Sequence, residues 1–203
     1  MFNICNNSVH AARELNNDLP MLSKHEGWMA WYRRVYKDAT EKAHRFEDHG
    51  CDGGYMQDAF EFIIKNGGLT MESNYPYMAT NGTWKGGYNS SATIKSYEEV
   101  PANNEGDLMK VVAKQPVSVS MDGGGKTFQL YSGGILTGSY GTDLNHGIAA
   151  IGYRIDSNGT KYWLFKKSWG TTWGENGYLR KEKDDSDKRG MCGISMDSSY
   201  PIA

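Results

Sequence analysis

A chain of 203 residues with 38% hydrophobic content is long enough for one domain, or for two small lobes sharing a cleft. Its net charge of −2, with acids and bases interspersed, gives no electrostatic case for a nucleic acid or a membrane surface. No apolar run approaches the ~20 residues of a membrane span, and 25 Gly against 5 Pro point to tight turns between strands.

Met1 to His10, MFNICNNSVH, is too short and too polar for the apolar region of a signal peptide, so residues 1–20 read as a tail and the chain, taken literally, as cytoplasmic. Residues 21–46 predict two helical pieces. Ser23-Lys24-His25-Glu26 is a capping-box pattern ahead of Trp28, Tyr32 and Val35, and Asp38 to Glu41 starts the second piece. Tyr55 to Asn66 predicts an amphipathic helix with Met56, Ala59, Phe60, Ile63 and Ile64 on one face, stopped by Gly67-Gly68. Asn74 to Tyr77 predicts an extended turn. A further helix spans about Asn104 to Lys114 and ends ahead of Pro116. Strands follow at Val117–Met121, Phe128–Tyr131, His146–Tyr153, Tyr162–Lys166 and Tyr178–Lys183. Helices first and an antiparallel sheet after give an α+β class.

The most specific text is KYWLFKKSWGTTWGENGYLRKEK, Lys161 to Lys183, together with LNHG at Leu144 to Gly147. These segments resemble the second half of papain-type cysteine peptidases of the plant, senescence-associated kind. AARELNNDLP at 11–20 resembles the stretch just after the signal peptide in their precursors. The Glu41, Arg45 and Phe46 spacing resembles the opening of their inhibitory propeptide's long helix. At about Glu47 the text becomes EDHGCDGG, which belongs inside the mature enzyme, so residues 47–203 read as a peptidase domain lacking its N-terminal part. The resemblance implies a two-lobe fold: here a truncated helical left lobe, and an antiparallel, β-barrel-like right lobe. It also implies proteolysis as the family reaction, a secretory, vacuolar or extracellular setting, and no cofactor. Peptide or protein ligands and a related active peptidase are the partners it suggests. The triplets at Asn81, Asn89 and Asn158 are glycosylation sequons if the chain enters that pathway.

The family's chemistry needs a thiolate at a helix N-terminus, a histidine to pair with it, a polar group to hold the imidazole and an oxyanion donor. By resemblance His146 is the histidine. Lys167 stands where the family keeps the orienting asparagine. An amide can accept from an imidazole N–H, whereas an ammonium only donates, and a nearby cation disfavours imidazolium. Lys167 turned inward therefore opposes the catalytic ion pair, and Lys167 swung out to water leaves His146 a solvent-facing, unheld ring. No CWAF-like nucleophile motif and no upstream oxyanion glutamine occur in this sequence. Cys51 does not open a helix, and Cys5 lies in a polar tail.

Gly53, Gly54, Tyr55, Met56, Ser120, Leu144 and Asp197 match cleft or pocket positions. Trp169 and Trp173 match the aromatic cover beside the histidine, and serve equally as core. The three cysteines, Cys5, Cys51 and Cys192, cannot all pair within one chain. By resemblance, the partner of Cys51 lies in the skipped segment, that of Cys192 is replaced by Tyr140, and a third bridge is lost at Trp84. No metal-ligand spacing, P-loop or GxGxxG appears. The expected function is that of a catalytically inactive homologue, a pseudoenzyme. Its alternatives are a peptide-binding or regulatory pseudoprotease, a truncated nonfunctional product, or an active peptidase with an unconventional nucleophile.

Overall fold

The computed structural model describes residues 54–70, 74, 90–138, 140–184 and 186–203. The tail at 1–20, the helical pieces at 21–46, Cys5, Cys51, Gly53, Trp84 and most of the turn at 74–77 lie outside the described residues. The described residues divide into two compact units, Glu99–Tyr200 forming one, and those up to Glu98 with Pro201–Ala203 forming the other.

Helix α1, Met56–Asn66, belongs to the second of these. Its apolar residues repeat at helical spacing, and Met56, Ala59, Phe60, Phe62 and Ile63 are buried. The stripe leans toward the Ala59–Phe62 flank. Phe62 is therefore inside, while Ile64, expected on the buried face, lies at its border and is 36% exposed. Phe60 stacks on Tyr97 at 5.7 Å. The helix stops at Gly67, φ +75, with the Gly68 N–H donating to the Ile63 carbonyl at 2.9 Å. At Gly68, a Cβ would lie 2.0 Å from Ser90 Oγ and 2.4 Å from the Ala92 carbonyl, so a side chain has no room.

The other unit holds most of the sheet. Helix α2, Glu105–Val112, is capped by Asn104, whose side chain accepts from the Asp107 N–H, and carries Glu105 and Asp107 in its first turn. It ends ahead of the expected Lys114 because the chain tightens before Pro116, with the Lys114 N–H donating to the Val111 carbonyl. The strands are β1 (Ser96–Glu99), β2 (Val117–Met121), β3 (Ile135–Leu136), β4 (His146–Ile155), β5 (Lys161–Lys166), β6 (Tyr178–Glu182) and β7 (Ser198–Ile202). They order as β1-β7-β2-β4-β5-β6-β3. β2 is buried along its whole length, as a strand between two neighbours should be.

Two expectations are corrected. The sheet is open rather than barrel-like, with β1 and β3 at its edges, and the β3–β6 pair is parallel. The stretch expected as a strand at 128–131 is instead a helical turn, α3 (Lys126–Gln129). The Leu130 N–H donates back to the Lys126 carbonyl, so Phe128 and Tyr131 of the stretch are buried while Leu130 is 79% exposed. The expected pattern alternated, but local backbone bonds after three glycines prevailed. β1, β3 and β7 carry no clear apolar alternation, and the sequence reading omits them. The core of this unit gathers Val117, Val119, Met121, Phe128, Trp163, Phe165, Leu179 and Ile194. Trp163 Nε1 donates to Glu105 Oε1 at 2.5 Å, tying the start of α2 to β5.

Candidate active site

His146 is the first residue of β4, held opposite Met121 at the end of β2 by the antiparallel register. Lys167 directly follows β5, and its backbone N–H donates to the Gly177 carbonyl at 2.9 Å. The two side chains meet. Lys167 Nζ contacts His146 Nε2, and both residues are buried, with Lys167 3% exposed and His146 8%. The Lys167 nitrogen lies 3.4 Å from the Trp169 ring centroid and 5.2 Å from that of Phe128. Trp169 also packs on His146 at 5.7 Å and edge-on against Trp173 at 5.5 Å. Neither the solvent-facing histidine nor the lysine swung out to water is what the fold contains. The aromatic wall accepts the four-carbon stem and its amine together.

Burial sets the charge of this pair. The Lys167 amine is pushed down to about 6 by desolvation, so most of it is neutral at pH 7. The His146 imidazole is pushed well below its ordinary 6.5, first by burial and then by the lysine. A neutral amine both donates and accepts. It donates to Nε2 in one imidazole tautomer and accepts from Nε2–H in the other. The expectation of a fixed ammonium therefore gives way to a neutral pair.

Beneath the ring lies a polar brace that the motif reading missed. Asn145 Oδ1 accepts from the Gly123 N–H at 2.9 Å, and its Nδ2 donates to Asp122 Oδ1 at 3.2 Å. A Cβ at Gly123 would sit 3.0 Å from His146 Cβ, so the first glycine of Gly123–Gly125 lets the backbone press against the histidine. The triple glycine and the Asn145-His146 pair were the available signals. Asn145 is the amide beside the histidine in sequence, and these bonds commit both ends of it.

The sequence profile described as "Papain family cysteine protease" matches residues 40–202. The chain belongs to the papain family of cysteine proteases. It is 69% identical over 157 residues to the senescence-specific cysteine protease SAG39 of Oryza sativa subsp. indica, covering 77% of this chain and 46% of that protein. It is 54% identical over 156 residues to the senescence-specific cysteine protease SAG12 of Arabidopsis thaliana, covering 76% of this chain and 45% of that protein. The chain thus spans about half the length of the curated relatives it matches. Among solved structures, the bromelain protease of Ananas comosus in complex with the E64 inhibitor is similar at TM-score 0.76 and 41% identity, over 85% of this chain and 88% of that one. The fold is papain-like.

In papain-family terms, Lys167 Nζ touches the histidine where an orienting asparagine is expected. The remaining matched residues fall in separate places. Ser120 Oγ donates to Asp197 Oδ2 at 2.5 Å, and the Ser120 N–H donates to the Asp197 carbonyl. Leu144 packs over Gly193, where a Cβ would lie 2.8 Å from it. Gly54, Tyr55 and Met56 belong to the other unit: Tyr55 is 47% exposed and Met56, 1% exposed, is part of the α1 core. Cys192 is a free, buried thiol. Burial raises it, and the charge of Lys181 offsets part of that rise. Burial, and then the thiolate form of Cys192, raise the Tyr140 phenol.

Proposed function

We propose that this papain-family chain does not hydrolyse peptide bonds by itself, and that any function it has is binding or regulatory. The observation carrying this reading is the buried contact between Lys167 Nζ and His146 Nε2. Papain-type catalysis requires a thiolate–imidazolium pair, and protonating His146 would place a cation against Lys167 in a desolvated aromatic pocket. The histidine is thereby held neutral at neutral pH. Asn145 turns its amide to Gly123 and Asp122 rather than to the imidazole. The nucleophile is the second support. This sequence has no CWAF-like motif, and Cys192 is buried with Lys181, Asp122 and Tyr140 as its charge neighbours. The boundary at about Glu47, with a propeptide-like piece before it and a shortened peptidase domain after it, belongs to the same proposal. So does contact of a peptide with Leu144, Trp169 and Asp197 in the unit that holds His146, whereas Ser120 and Met56, each 1% exposed, are too buried to meet one.

The test is exposure of the purified chain to E-64, the inhibitor bound in the similar bromelain structure, followed by intact mass and turnover of a fluorogenic peptide. We expect neither adduct nor turnover. One stoichiometric adduct on Cys51 that abolished a measurable turnover would overturn the proposal.

A further inference from the structure

The hairpin joining β4 and β5 carries the sequon Asn158-Gly159-Thr160 at its tip. Asp156 and the backbone close the turn. The Asp156 N–H donates to the Thr160 carbonyl at 3.0 Å, and Asp156 Oδ1 accepts from the N–H groups of Asn158 and Thr160 at 2.9 and 2.8 Å. The Gly159 N–H donates to the Asp156 carbonyl at 3.1 Å, with Gly159 at φ +83. Asparagine commonly shapes such turns with its own side chain. Here Asp156 has that role, and among the described residues neither the Asn158 amide nor the Thr160 hydroxyl makes a hydrogen bond. Ser157, Asn158 and Gly159 are all exposed.

We propose that Asn158 is an acceptor of N-linked oligosaccharide when the chain passes through a compartment that holds the transferase. The three requirements meet at one place: an Asn-x-Thr triplet without proline, a free amide and hydroxyl, and a protruding turn that does not depend on either. The donor is a lipid-pyrophosphate-linked oligosaccharide. Asn158 Nδ2 bonds to the anomeric carbon, the bond from that carbon to the pyrophosphate oxygen breaks, the lipid pyrophosphate leaves, and one amide proton is lost to the transferase base. The glycan would project from the far end of β4, about 30 Å along the strand from His146, so it leaves the Lys167–His146 pair untouched.

The experiment is expression of the whole chain behind a cleavable secretory leader in eukaryotic cells, with glycopeptide mapping of the secreted and the cell-retained pools. Leader cleavage reports entry into the lumen. We expect the majority of leader-cleaved chains to carry glycan on Asn158, removable by an amidase that leaves aspartate there. Asn158→Gln and Thr160→Ala should each abolish that modification. Thr160→Ala keeps the backbone bonds of the turn, so its loss of glycan would not reflect misfolding. Leader-cleaved chains with Asn158 unmodified would overturn the proposal, most sharply if Asn81 or Asn89 in the same chains carried glycan.

Discussion

At one end of β4, His146 is buried against Lys167 and Trp169; at the other, past Ile155, Asp156 closes an exposed turn with four hydrogen bonds through its side chain and backbone. One strand thus joins a desolvated pair that resists protonation to a hydrated loop where polar groups are readily satisfied. The contrast shows where substitution is tolerated. An ionisable residue introduced at the turn meets water, whereas burial in the aromatic pocket pushes Lys167 toward its neutral form.

The largest expected effect is on stability. Lys167 titrates at about 6 in the fold and at its ordinary 10.5 once unfolded. Between those values the unfolded chain binds more protons, so stability rises with pH, by about 1.4 kcal/mol per unit at most. The penalty is complete below about 6 and gone above 10.5. His146, also lowered, acts in the same direction once pH falls through its ordinary 6.5. Urea unfolding followed by tryptophan fluorescence should therefore show a midpoint climbing from pH 6 to pH 9. Lys167→Met keeps the stem against Trp169 and removes the titration. At pH 7 it should stabilise on the order of 4 kcal/mol and flatten that climb. A destabilised Lys167→Met, or an unchanged slope, would refute the buried neutral amine.

The next effect is smaller. Gly123→Ala brings a methyl to 3.0 Å from His146 Cβ, and should cost about 1–3 kcal/mol as the strand end shifts. The imidazole resonances of His146 should move with it, whereas Gly125→Ala, where a Cβ meets nothing within 4 Å, should leave them in place.

The same contrast explains how much was legible in the sequence. The α1 stripe, its Gly67 stop, β2, β4, β5 and β6 follow from periodicity and turn chemistry, because each buries one regular set of side chains. The SWG segment and LNHG gave the histidine, the lysine and the tryptophans, because motif order survives in the text. Three features did not read. The helical turn at Lys126–Gln129 depends on backbone bonds after the glycines. The direction of the Lys167 side chain depends on an aromatic pocket assembled from α3, the end of β5 and the turn after it. The brace of Asn145, Gly123 and Asp122 joins residues over 20 positions apart, and polar residues in loops carry no periodicity to announce it.

At the hydrated end of β4 the expected effects shrink. Asp156→Ala removes the side-chain acceptor for two backbone N–H groups, and these groups are at an exposed turn where water can replace it. The cost should be about 1 kcal/mol, independent of pH between 6 and 9. Asn158→Gln should change stability by less than about 0.5 kcal/mol, since the turn uses the Asn158 backbone N–H and not its amide. Measured by the same urea curves, these two substitutions provide the control for Lys167→Met. If the loss at Asp156 grew as pH fell from 9 to 6, the acid sensitivity would not be confined to the buried pair. Parallel curves for Asp156→Ala and the unaltered chain would exclude the turn as the source of the pH response.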